Sequence, residues 1–133
     1  MMRKKNLKSI LQKVNSIALI GASADKSRDS YKVMEFLIEK GYKVYPINPN
    51  YANRNILGQR CYSNLKEIKK KIDMVDIFRS SKFVKEITQV AIDIGVDIIW
   101  TQEGIFDKES ALIAEKHGIT FIMNQCPMKI LIN

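Results

Sequence analysis

Gly21, Ala22, Ser23, Lys26, Arg28 and Ser30 fall within the ten residues "GASADKSRDS", directly after the short apolar run "SIALI". Their chemistry is that of holding an anion. Gly21 and Ala22 let a backbone pass close to a ligand, and Ser23 and Ser30 offer hydroxyl donors. Lys26 and Arg28 bring positive charge, and Arg can grip a phosphate through two parallel hydrogen bonds. A helix beginning near Ser30 would add unpaired N–H groups and the positive end of its dipole at the same mouth. The stretch lacks the second and third glycines of the usual dinucleotide signature. It therefore also reads as a plain strand-to-helix turn with capping serines.

Two hydrophobic periods alternate around this stretch. Leu7, Ile10, Leu11 and Val14 fall at helical spacing, so a short helix leads. "SIALIG" then reads as a strand buried on both faces. Tyr31 to Lys40 reads as a helix with Asp29 or Ser30 as N-cap and Gly41 as its stop. "YKVYPIN" is the second strand, "NLKEIKKK" a short helix and "IDMVDIF" the third strand. Ser80 or Ser81 caps the next helix, striped by Phe83, Ile87, Val90, Ala91 and Ile94 and ended by Gly95. "VDIIWT", "DKESALIAEKHG" and "ITFIM" give strand, helix and strand. Strand and helix in alternation call for parallel strands joined by right-handed crossovers. The expected fold is an α/β, doubly wound, five-stranded parallel sheet of order 3-2-1-4-5, and no linker or repeat divides residues 1–133 into more than one domain.

Ligands of such sheets settle beyond the carboxyl ends of the strands, where the order reverses. Three loops bound that place: Gly21 to Ser30, Asn48 to Arg54 and Gln102 to Phe106. A bound NAD usually needs an acid at the end of strand 2, and this chain has Asn48-Pro49-Asn50 there. Arg54 could reach the 2′-phosphate of NADP. A classical dinucleotide enzyme is disfavoured.

"GASADKSRDSYKV", "GYKVYPINPN", "ILGQRCYSNL", "VDIFR", "IIWTQEGI" and "NQCP", in that order, carry a resemblance. The chain resembles the small stand-alone CoA-binding protein family. That family is similar in turn to the CoA-binding domain of the succinyl-CoA synthetase alpha subunit, whose "TEGI"-like turn is echoed by Gln102-Glu103-Gly104-Ile105. The resemblance covers about Val14 to Cys126. It implies a Rossmann-like fold that binds coenzyme A or an acyl-CoA. By it, Gly21, Ala22, Ser23, Arg28 and Ser30 would surround the phosphates, with Lys26 nearby. Asn48 and Pro49 would border the adenosine, and Phe78, Arg79, Gln102 and Gly104 would line the far side. Relatives often carry a basic residue after the Asn-Pro pair. Here Asn50 stands in that place, leaving Arg54 or Lys26 to meet the 3′-phosphate.

Other residues have plainer readings. His117, the single histidine, precedes Gly118 at a helix end, where a cation suits the dipole. It lacks an evident nucleophile or carboxylate partner for catalysis. The resembling synthetases carry their phosphorylated histidine in a second domain that this sequence does not contain. Cys126 lies near the binding edge and could exchange with the CoA thiol, or be an idle buried thiol. Trp100 reads as core within strand 4, and Cys61 as packing.

Composition narrows the function classes. The chain has 133 residues, 46% of them hydrophobic and 27% charged. Folding at that size hides roughly two thirds of the unfolded surface, enough for a core without metals or disulfides. No apolar run approaches the roughly 20 residues of a membrane helix. The opening "MMRKKNLKSILQKV" is basic, but Gln12 and Lys13 interrupt its apolar part, against a signal peptide. The two cysteines lack metal-ligand spacing and suit a reducing, cytoplasmic compartment. The net charge of +8 is spread along the chain except for "KEIKKK", which reads as a solvated face, and nucleic-acid motifs are absent. A polyanionic small ligand satisfies the same excess.

The expectation is therefore a non-catalytic binding protein for CoA or an acyl-CoA, with a protein partner unidentified. The alternatives are a subunit or enzyme acting on an acyl-CoA thioester, with Cys126 or a companion supplying the chemistry, and a sensor reading NAD(P)(H) through the same fold.

Overall fold

A computed structural model of the chain describes residues 3–132. Five strands form one sheet: β1 (Ser16–Ile20), β2 (Lys43–Ile47), β3 (Met74–Ile77), β4 (Ile98–Thr101) and β5 (Thr120–Ile122). All neighbours run parallel, in the spatial order β2-β1-β3-β4-β5. Outside β2, a single parallel bridge from Ile47 to Tyr62 takes the next place. Counting that bridge as the third element gives the outward 3-2-1 run of the expected order. The segment expected to be that third strand, Met74–Ile77, sits instead on the far side of β1. The correction has a simple cause. Residues 61–62 already occupy the outer edge of β2, and the apolar Met-Val-Asp-Ile run is buried on both faces, which only an inner position provides.

Side chains alternate across the strands, so the sheet carries two cores. On one face, Ile17, Leu19, Met74, Ile98 and Trp100 pack beneath α1 (Lys4–Gln12), α2 (Asp29–Glu39) and α5 (Pro127–Leu131). On the other, Ala18, Ile20, Val75, Ile77 and Ile99 pack beneath α3 (Val84–Ile94) and α4 (Lys108–Lys116). Gly95 closes α3 at φ 79° in the left-handed region, as its glycine implies. Trp100 is fully buried, and its indole N–H donates to the Gln125 carbonyl at 2.8 Å. No helix among the described residues is long and apolar enough to cross a membrane.

Two local expectations change. "NLKEIKKK" makes only one short helical turn, Leu65–Glu67, and then leaves it with Ile68 extended. Glu67 fixes that turn by accepting from the N–H and hydroxyl of Ser63 at 2.8 and 2.7 Å. Three successive lysines beyond it repel one another and add no apolar stripe to pack. Directly after the expected Asn48–Arg54 loop, Asn55–Ile56 and Gln59–Arg60 pair as a small antiparallel hairpin. Leu57 and Gly58, at φ 51° and 77°, make its turn.

The amino-terminal edge of the sheet is clasped. The Asp73 carboxylate accepts from the N–H groups of Asn15 and Ser16 at 2.8 and 3.1 Å. The Ser16 hydroxyl donates to the Lys71 carbonyl and accepts from the Asp73 N–H, each at 2.9 Å. β1 and β3 are thereby tied together at the end away from Gly21 and Phe78.

Candidate functional site

The chain leaves β1 at Gly21, β2 at Asn48 and β3 at Phe78, all on the carboxyl edge, where successive connections diverge to opposite sides of β1. Two clefts open there and join. One is polar, lined by Ala22, Ser23, residues 27–30, Tyr51 and Phe78. The other is mostly apolar, with a volume of about 260 Å³, walled by Ile20, Ile47, Pro49, Leu65, Ile87 and Val90. Gly21, Asn48 and Arg79 line both.

Each shared residue is held by local chemistry. Gly21 takes φ 93°, which side-chain-bearing residues rarely adopt. Its N–H and that of Ala22 both donate to the Ile47 carbonyl, at 3.0 and 3.2 Å. Asn48 locks the first loop to the second: its Nδ2 donates to the Ala22 carbonyl at 2.8 Å, and its Oδ1 accepts the Asn50 N–H at 2.9 Å. Arg79 carries its guanidinium 3.9 Å from the centroid of the Phe83 ring, a cation–π arrangement that fixes the plane of its donors.

The polar cleft ends on the amino terminus of α2. Arg28, rather than the expected Asp29 or Ser30, is the N-cap, and its side chain makes no capping bond. An eleven-residue helix therefore presents its first turn uncapped, beside residues that line the cleft. Ser30 is buried within that turn. Asp25 accepts the N–H and hydroxyl of Ser27 at 2.9 and 2.7 Å, bonds that hold its carboxyl below the usual carboxylate range. Asp25 and Asp29 formally offset Lys26 and Arg28. Beyond that balance, the cleft offers an anion the N–H groups of the first turn of α2 and the guanidinium of Arg79, just past the end of β3.

Of the expected site residues, Gly21, Ala22, Ser23, Arg28, Ser30, Asn48, Phe78 and Arg79 meet around the polar cleft, and Pro49 around the apolar one. Lys26, Gln102 and Gly104 line neither. Lys26 projects from the exposed outer part of its loop. Gln102 is buried beneath the edge, its amide end 3.3 and 3.2 Å from the two Asp76 carboxyl oxygens, an approach that makes hydrogen bonds when the amide is oriented with its nitrogen on that side. Asp76 is wholly buried, and desolvation pushes its carboxyl well above the ordinary range. Gly104, at φ 83°, donates its N–H to Asn124 Oδ1 at 2.8 Å, joining the loop after β4 to the loop after β5.

The sequence reading missed Ser63, Asn64, Leu65, Lys66 and Glu86, which wall the apolar cleft. Only the Ile87 and Val90 stripe of α3 signalled that wall. His117 ends α4 with Nδ1 2.9 Å from the Ile113 carbonyl, an exposed helix-end contact. Cys126 is buried at the start of α5, in a separate groove with Glu103 and Lys129. The Cys61 thiol is buried and donates to the Asn48 carbonyl at 3.6 Å, and burial pushes its pKa up.

The profile of the CoA binding domain family matches residues 15–131. The chain belongs to that family. YneT of Bacillus subtilis (strain 168), described as uncharacterized, is 32% identical over 123 residues, 92% of this chain and 90% of its own. The alpha subunit of ADP-forming acetate–CoA ligase II of Pyrococcus furiosus is 35% identical over 121 residues. That match takes in 83% of this chain but 26% of the subunit. A hypothetical protein from Pyrococcus horikoshii OT3 superposes with a TM-score of 0.90 at 35% identity, covering 97% of this chain and 89% of that one. The family assignment and the Rossmann-like α/β fold agree with the resemblance carried by the six sequence fragments.

Proposed function

We propose that this protein, acting as one domain, binds coenzyme A or an acyl-CoA without itself catalysing a reaction. The diphosphate lies in the polar cleft, against the Gly21–Ser30 loop and the first turn of α2. The adenosine lies in the apolar cleft between Pro49 and the Ile87–Val90 face of α3. The supporting observation is the junction of a polar and an apolar cleft at Gly21, Asn48 and Arg79, in a chain of the CoA binding domain family. A nucleotide needs that pairing: charge for its diphosphate and apolar walls for its base. Arg79 serves the junction, its donors aimed by the Phe83 ring. Both cysteines are free, which fits a reducing, cytoplasmic setting.

A second reading, service to an acyl-CoA ligase, is favoured by the relatives named as acetate–CoA ligases, of which this chain spans 17% to 26%. Isothermal titration with CoA and acetyl-CoA tests the binding itself, with NADH and NADPH as competitors. Saturable heat with the CoA ligands, undisturbed by the dinucleotides, is expected. No heat at millimolar CoA would end the proposal. Thioester turnover by the isolated chain that disappears in Cys126→Ala would overturn its non-catalytic half.

A further inference from the structure

We propose that Lys66 reads a phosphate carried on the ribose of the bound nucleotide, and so discriminates CoA from its dephospho form. This rests on the nucleotide placement given above. Three cations line the joined clefts, and they divide by place. Arg28 lines only the polar cleft, Arg79 lines both, and Lys66 lines only the apolar one. A diphosphate in the polar cleft engages the first two. A cation beside the nucleoside alone can meet an anion only if the nucleoside carries one.

The other candidates are placed elsewhere. Arg54 holds its guanidinium 5.4 Å from the Tyr51 ring centroid, and neither it nor Lys26 lines either cleft. Asn50 contributes an amide, and its N–H is already bound to Asn48. Lys66 stands in the short turn Leu65–Glu67, whose backbone is fixed while the Lys66 side chain is exposed. Its neighbour Glu67 is engaged with Ser63. The opposite wall carries Glu86, which repels a phosphate. The monophosphate is therefore favoured on the Lys66 side.

Calorimetric titration of CoA and dephospho-CoA into the wild type, Lys66→Ala and Lys69→Ala tests this. Lys69 belongs to the same basic run and lines neither joined cleft, so it reports general charge attraction. The wild type is expected to prefer CoA by about fivefold, as for a partly exposed ion pair. Lys66→Ala loses that preference, its CoA affinity falling by more than its dephospho-CoA affinity, and Lys69→Ala keeps it. The ratio is taken within each preparation, so incomplete folding of a variant cancels. A preference that survives Lys66→Ala, falls equally in both variants, or is missing from the wild type overturns the role of Lys66 while leaving CoA binding intact. Binding of neither ligand by the wild type overturns both.

Discussion

The carbonyl oxygen of Phe78 lies 3.0 Å from the position a Cβ on Gly21 would occupy, and the Phe78 Cβ lies 3.1 Å from it. The ends of β1 and β3 are pinched together at the point where the two clefts join. Gly21→Ala faces both this contact, made largely by backbone, and a φ of 93°. It should cost about 1–3 kcal/mol, the range of a strained backbone position. Urea denaturation measures the cost, and titration should show weakened CoA binding in the fraction that folds. A variant as stable as the wild type would mean that the pinch relaxes freely.

Asn48→Ala removes the hydrogen bond that joins the first two loops and a second one inside the loop after β2, leaving the Ala22 carbonyl and the Asn50 N–H without their partner. A loss of about 1–2 kcal/mol is expected. Hydrogen exchange should quicken at Asn50, whose amide loses its acceptor. Unchanged exchange there would argue that water replaces the side chain without loosening the loop.

Arg79→Ala should weaken CoA and dephospho-CoA alike, by about tenfold, because the residue lines both clefts and serves the diphosphate. Arg79→Lys should restore little. An ammonium lacks the planar fork that the Phe83 ring holds in place. Full rescue by Lys would reduce the role of Arg79 to simple charge.

Asp76 sets a pH dependence. Burial raises its folded-state pKa above its ordinary value of 3.8. Between those two pKa values the folded chain holds a proton that the unfolded chain has released. Stability therefore falls as pH rises through that interval, and the loss is complete above the folded pKa. Asp76→Asn removes the slope while keeping a group that can pair with the Gln102 amide. Denaturation midpoints of the two proteins should diverge in the variant's favour as pH is raised from about 4 through neutrality. Parallel curves would show that the carboxyl ionises in place without penalty.

Much of this was legible in the residues, for local reasons. Strand and helix periods, Gly95 and the Gly21 turn announce themselves because hydrophobic alternation and left-handed backbone are properties of short windows. Three things were not. Met74–Ile77 reads as a buried strand anywhere in a parallel sheet, and its place beside β1 depends on the outer edge of β2 being taken by Tyr62. Lys66 looks like one member of a solvated basic run, and only the fold of the Ser63–Glu67 turn brings it to the cleft. Gln102 resembles a site residue by its motif, yet its amide faces inward to Asp76, a partner 26 positions away in sequence.

The Asp73–Ser16 clasp bears on how the site tolerates change. Parallel strands that slide by one residue exchange their inward and outward side chains, and the knot at residues 15, 16 and 73 forbids that slide. It acts as a ruler: four residues of extended chain carry its setting up each strand, so the level at which Gly21 confronts Phe78 is calibrated from the far rim of the sheet. Loss of those polar contacts would free the setting of β1 against β3, and with it the height at which Gly21 and Phe78 meet.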